Sequence, residues 1–149
     1  MSVPLLTTKL YFPPARTNLV PRTRLIERLD AGVKGPLTLI SAPAGSGKTT
    51  LLSEWHSGPG ARYPVAWLSL DDGDNNLVRF FSYLTAALGT LQPNLTSNKI
   101  SFLHSPVLPP IEAVMTSLVN DLEAFQQDFV MALEDFHVIT ERTIHQALE

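Results

Sequence analysis

The residues with the most specific chemistry run from Ala42 to Thr49, APAGSGKT. A small residue, four intervening residues, Gly-Lys and a hydroxyl residue make the Walker A spacing, here with Ala in place of the first Gly. Gly45 and Gly47 permit backbone conformations that turn consecutive N–H groups inward as an anion nest, and Pro43, Ala44 and Ser46 complete the loop. The helix that follows adds its partial positive charge. Lys48 is placed to reach the β- and γ-phosphates of a nucleotide, and the Thr49 hydroxyl to ligate Mg²⁺. By analogy with such loops, Thr50 faces the α-phosphate. The bland alternative is a Gly/Ser strand–helix turn. Residue usage alone produces the pattern in roughly one chain in a hundred of this size. Here it also falls between a predicted strand and a predicted helix, as the motif requires.

A phosphate loop needs carboxylates to hold the magnesium shell and orient water. FVMALEDFH is apolar from Phe129 to Leu133 and then presents Glu134 and Asp135, so residues 129–135 are the candidate Walker B strand. Side chains alternate along a strand, so only one of the two acids points directly at the phosphate-loop side. Glu134 is assigned to the metal shell and Asp135 to the water, with the reverse left open. Against this stands the ordinary habit of acids to end a buried strand by meeting solvent. Asp71, Asp72 and Asp74 form a rival acidic run, but the Gly and Asn among them read as turn and helix-cap chemistry.

The elements that must position these residues follow from pattern. Residues 1–21 contain Pro4, Pro13, Pro14 and Pro21 and are expected to be extended and irregular. RTRLIERLDAG predicts a helix burying Leu25, Ile26 and Leu29, with Gly32 to stop it. GPLTLIS reads as a buried strand, and a helix from about Gly47 buries Leu51, Leu52 and Trp55. PVAWLSLD is the second strand. DDGDNN caps a helix carrying Leu77, Phe80, Phe81, Leu84 and Leu88. Gly89 to Pro110, rich in Pro, Ser and Asn, reads as a long loop or a disrupted short helix. Ile111, Val114, Met115, Leu118, Val119, Leu122 and Phe125 keep helical spacing, with Pro109 and Pro110 at the first turn. The third strand precedes a last helix, TERTIHQALE, with Thr140 as its cap. Strands alternating with helices predict an α/β fold with a parallel sheet.

Composition fits a globular protein. The chain has 149 residues, 44% hydrophobic and 17% charged, which argues against disorder. Its net charge is −3 and no Lys/Arg cluster appears, so no nucleic-acid or anionic-membrane surface is advertised. Absence of cysteine excludes disulfides, thiol catalysis and cysteine-ligated zinc. The first residues lack the pattern of a signal peptide, and no apolar run approaches the ~20 residues of a membrane span, so a cytoplasmic protein is expected. His56, His104, His137 and His145 show no metal-ligand spacing, and His137 reads as structural. Asn94 opens a glycosylation sequon that matters only in a secreted protein. Trp55 and Trp67 read as core. Arg22 and Arg24 are open between a solvated helix start and nucleotide contact.

Four blocks in order, TTKLYFPPARTNLVPRTRLIERL, LISAPAGSGKTTLLSEW, VAWLSLDDGDNNLVRFFSYLTAAL and ALEDFHVI, resemble the ATPase module of MalT-like regulators of the LuxR type. These are STAND signal-transduction ATPases, a branch of the AAA-like P-loop NTPases. The resemblance implies ATP or ADP with Mg²⁺, Leu19 to Arg22 (Val20 and Arg22 included) lying against base and sugar, and an ATP-controlled switch in transcription. It also implies ATP-dependent self-association of the full-length proteins, with DNA contacted by a C-terminal domain beyond this chain. On that reading residues 1–34 cover the base and 35–149 are an incomplete NTPase core, truncated after the third strand. Two departures stand out: Glu134-Asp135 where the family usually has Asp-Asp, and the absence of the fourth strand with its sensor arginine and of everything after it. Since the fourth strand of such ATPases lies between the Walker strands, this chain alone is expected to fold incompletely and hydrolyse ATP negligibly. The competing readings are a small kinase-like P-loop enzyme and a remnant that binds nothing.

Overall fold

A strand exists only where a neighbour takes its N–H and C=O groups, and two segments here meet that condition. In the computed structural model, which describes residues 5–14, 20–92, 107 and 110–149, β1 (Val65–Ser69) and β2 (Val130–Glu134) pair in parallel. The described residues form a mixed α/β structure with this two-stranded sheet and five α-helices. The chain divides into two compact units, Phe12–Pro64 and Met1–Tyr11 with Val65–Glu149. The expected boundary after residue 34 falls inside the first of these. The parts of the predicted loop at 93–106 and 108–109, with Asn94, His104 and Pro109, lie outside the described residues.

In the unit that contains the sheet, the ladder aligns Val65 with Val130 through to Ser69 with Glu134. Ala66, Leu68 and Leu70 alternate onto one face and join the core. The core is completed by Phe80, Phe81, Leu84 and Leu88 of α3 (Leu77–Gly89), Val114 and Leu118 of α4 (Ile111–Ala124), and Ile144 of α5 (Arg142–Leu148). Each such side chain contributes roughly 1.5–3 kcal/mol on burial. Val119, expected on the buried stripe of α4, is half exposed. The DDGDNN turn behaves as predicted. Asp71 and Asp74 make a capping box around a 3₁₀ turn (Asp72–Asn75), and the Asn76 side chain accepts from Arg79 N–H at the start of α3. Helix α5 is capped by Glu141, whose carboxylate accepts from Thr143 N–H, and not by Thr140. Thr140 is bound to Asn75 instead, its N–H donating to Asn75 Oδ1 at 2.6 Å and its hydroxyl to the same oxygen at 3.4 Å.

The same unit buries a group of charges. Lys9, on a 3₁₀ turn (Thr7–Leu10), donates to Asp71 Oδ2 at 2.8 Å and to Asp74 Oδ2 at 2.5 Å. Asp74 is fully buried and also accepts from Arg79 Nε at 3.1 Å and Asp71 N–H at 2.9 Å. The Tyr83 ring lies 4.6 Å from the Lys9 ammonium, and its hydroxyl accepts from Leu6 N–H. Lys9 holds the Asp71 carboxyl below the usual carboxylate range.

In the other unit, α1 (Thr23–Gly32) meets α2 (Lys48–Ser57). Ile26, Leu29, Leu51 and Trp55 are buried, whereas Leu25 is exposed, so the apolar stripe of α1 is narrower than its sequence suggests. The Trp55 indole donates to Asp30 Oδ1, and Arg62 Nη2 donates to both oxygens of Asp30. Arg62 first, and Trp55 next, lower the Asp30 pKa. A Cβ on Gly60 would come within 2.6 Å of the Trp55 ring, so only glycine allows this approach.

The predicted strand GPLTLIS is corrected. Residues 37–43 form no regular secondary structure and pair with no strand among the described residues, and Leu37 and Leu39 are 84% and 80% exposed. Apolar alternation supplies a segment able to pair, but the ladder partner is not among the described residues. Among those residues no helix is long and apolar enough to cross a membrane.

Candidate phosphate-binding site

The candidate phosphate loop, residues 42–49, takes its shape from two glycines. Gly45 (φ 79°) and Gly47 (φ 88°) both occupy the left-handed region, where other residues pay a steric cost. Gly47 is the N-cap of α2, and its carbonyl accepts from Leu51 N–H at 2.9 Å, starting the helix directly behind the loop. A turn bond from Ser46 N–H to Pro43 O closes the preceding bend. No atom lies within 4 Å of where a Gly45 Cβ would stand, so that side of the loop is open. Lys48 folds back over its own loop, donating to Ala42 O at 2.5 Å. One ammonium carries three donors, so two are available beyond this bond. Loop, helix terminus and lysine together fit a nucleotide's phosphates. Thr49 adds a hard oxygen of the kind Mg²⁺ takes.

Arg22 has a role that neither sequence reading anticipated. Its Nη2 donates to Gly47 O at 3.1 Å, while its backbone N–H donates to Glu54 Oε1 at 3.4 Å and its Nε stands 3.8 Å from Glu54 Oε2. Arg22 therefore ties the start of α1 to the phosphate loop and to the second turn of α2. Val20 is 82% exposed, and Leu19 lies outside the described residues. The segment beside the loop is instead Pro13–Pro14, which with Thr49, Thr50 and Ser53 lines a cavity of about 130 Å³. Ser53 Oγ donates to Pro13 O at 3.0 Å, and Phe12 stacks on His56 with 4.4 Å between ring centroids.

Glu134 and Asp135 belong to the sheet-containing unit, and their surroundings differ. β2 ends at Glu134, one residue short of the expected end, because Asp135 adopts φ 59°, ψ 36° and leaves the strand. Asp is among the few residues that tolerate this conformation. Strand alternation therefore stops at Glu134 and cannot orient Asp135, which is exposed. Met131 and Leu133 pack against the core, so alternation sets Glu134 on the opposite face. There Ser69, its ladder partner, donates from Oγ to Glu134 Oε2 at 2.9 Å, and Trp67 Nε1 donates to Ser69 Oγ at 2.9 Å. Trp67 is 1% exposed, as a core reading requires. Its hydrogen bond could be found only once the register of β1 against β2 was known.

No protein-family model matches the chain. Among curated proteins, it is 35% identical over 146 residues to the HTH-type transcriptional regulator MalT of Serratia proteamaculans. It is 33% identical over 144 residues to the MalT proteins of Klebsiella pneumoniae and Cronobacter sakazakii. Each match covers 97% of this chain but 16% of the relative, so the chain spans about a sixth of the length of the curated relatives it matches. The resemblance carried by the four sequence blocks thus extends over almost the whole chain.

Proposed function

We propose, from the similarity to MalT-type regulators, that this chain is a P-loop NTPase module of the STAND kind. It binds ATP or ADP with Mg²⁺ at Ala42–Thr50 and acts as the nucleotide-controlled switch of a MalT-like transcriptional regulator. The observation that carries this reading is the open loop with left-handed Gly45 and Gly47, backed by the α2 N-terminus and by Lys48. Phosphate oxygens would meet the loop N–H groups and Lys48, and Thr49 with Glu134 would serve the magnesium. Bound magnesium would neutralise charge on the β- and γ-phosphates. Asp135 would orient water, and Arg22 holds the loop in shape through Gly47 O. Direct DNA contact is not assigned to this segment, whose net charge is −3.

Calorimetric titration with ATP and with GTP, each with Mg²⁺, tests the proposal. The expected result is saturable one-to-one binding that favours ATP, alongside a gel-shift that gives no sequence-dependent DNA complex. Absence of nucleotide binding would overturn the reading, and a sharp sequence-specific DNA complex would overturn its division of labour.

A further inference from the structure

We propose that Glu54 is a positioning residue for the phosphate site, acting through Arg22 to hold the Gly47–Lys48 peptide with its N–H turned toward the anion. This rests on the nucleotide reading above and adds to it a carboxylate on the second turn of α2, with every group involved inside the unit Phe12–Pro64. The Gly47 carbonyl receives two donors, Leu51 N–H at 2.9 Å and Arg22 Nη2 at 3.1 Å, one for each lone pair. A trans peptide is planar, so its N–H points away from its C=O. Fixing the Gly47 oxygen between Arg22 and α2 therefore fixes where the Lys48 N–H points. That N–H belongs to the first turn of α2, whose amides have no acceptor within the helix and can meet an anion.

A brace is needed here because glycine does not hold the peptide plane by itself. Gly47 stands at φ 88°, and a residue without a Cβ passes easily between left- and right-handed backbone. Arg22 lies close against it: a Cβ on Gly47 would come within 3.1 Å of Arg22 Nη1. Arg22 is in turn held at both ends by Glu54. Its backbone N–H donates to Oε1 at 3.4 Å, and its Nε stands 3.8 Å from Oε2. Oε2 is shut off from solvent and accepts no hydrogen bond among the described residues, so its charge is directed at the guanidinium rather than at water. Glu54 thereby sets a negative charge one arginine away from an anion site, which by simple electrostatics weakens that site. A net benefit from Glu54 requires that it act on geometry. Charge and geometry thus predict opposite signs for its removal.

The test uses the full chain with tripolyphosphate as the probe, without nucleotide or magnesium. Glu54→Ala is expected to weaken tripolyphosphate binding about tenfold, and Arg22→Ala about as much. In the double variant the losses should not add, because either change removes the same brace. Glu54→Gln, which keeps the shape of the side chain, is expected to shift affinity in the same direction by a smaller factor. Amide NMR of the ligand-free protein supplies a readout that a merely structural role would not move. The Lys48 N–H resonance should shift in Arg22→Ala and in Glu54→Ala. It should stay in place in Arg28→Ala, which takes the same charge off an exposed site on α1. Tighter or unchanged binding in either Glu54 variant, additive losses, or a Lys48 amide indifferent to Glu54→Ala would each overturn the brace. A wild-type chain that ignores tripolyphosphate, or that binds it no better than Lys48→Ala does, would remove the phosphate site itself and the proposal with it.

Discussion

Replacing Lys9 by methionine is expected to lower folding stability by roughly 3 kcal/mol, the low end of the 3–5 kcal/mol that follows when one partner of a buried ion pair is removed. Lys9 is 8% exposed and its partner Asp74 is fully buried. Methionine keeps most of the apolar stem, so the loss comes from charge. The low end applies because Asp74 keeps Arg79 Nε and Asp71 N–H as donors. Against a typical margin of ~5–15 kcal/mol, this is a large fraction of the whole. Urea unfolding of the two proteins measures it, and a difference below about 1 kcal/mol would refute the assignment. The effect also has a pH signature. Asp71 has its pKa lowered from 3.8, chiefly by Lys9, so its contribution is present above that value and is lost as pH falls through the folded-state pKa. Below about pH 4 the wild type should lose stability more steeply than Lys9→Met, and the two curves should converge.

The second large effect falls on binding. Lys48→Ala is expected to weaken Mg·ATP binding about 10- to 100-fold, because a charge-assisted hydrogen bond to phosphate contributes roughly 1.5–3 kcal/mol. Among the described residues, Lys48 bonds to Ala42 O of its own loop, and that contact is exposed, so the thermal melt should barely move. Loss of affinity without loss of stability is the signature to look for. Equal affinity in wild type and variant would remove Lys48 from the site.

How far the sequence could be read depended on whether each feature was local. The helices were legible because 3–4 spacing and caps lie within a few residues of each other, as in Asn76 ahead of Leu77 and Gly47 ahead of Lys48. The glycine-shaped turn ahead of α2 was legible for the same reason, since Gly45, Gly47 and Lys48 are nearly contiguous. GPLTLIS failed as a strand because pairing depends on a partner that apolar alternation cannot supply. Asp135 was misread as a strand residue because nothing local marks its left-handed backbone. The contacts that Ser69 and Arg22 make went unrecognised because their partners are remote. Ser69 meets Glu134 across 65 positions, and Arg22 meets Gly47 across 25. A hydroxyl at a strand end and an arginine before a helix are too common to signal either contact alone.

Nucleotide binding at Ala42–Thr50 is tested most directly by a backbone amide NMR titration of the wild-type chain with Mg·ATP. Saturable shifts are expected at residues 44–50, where the loop N–H groups and the first turn of α2 would meet phosphate, and these shifts should be lost in Lys48→Ala. A spectrum unchanged at saturating ATP, or shifts that leave the loop untouched, would contradict it.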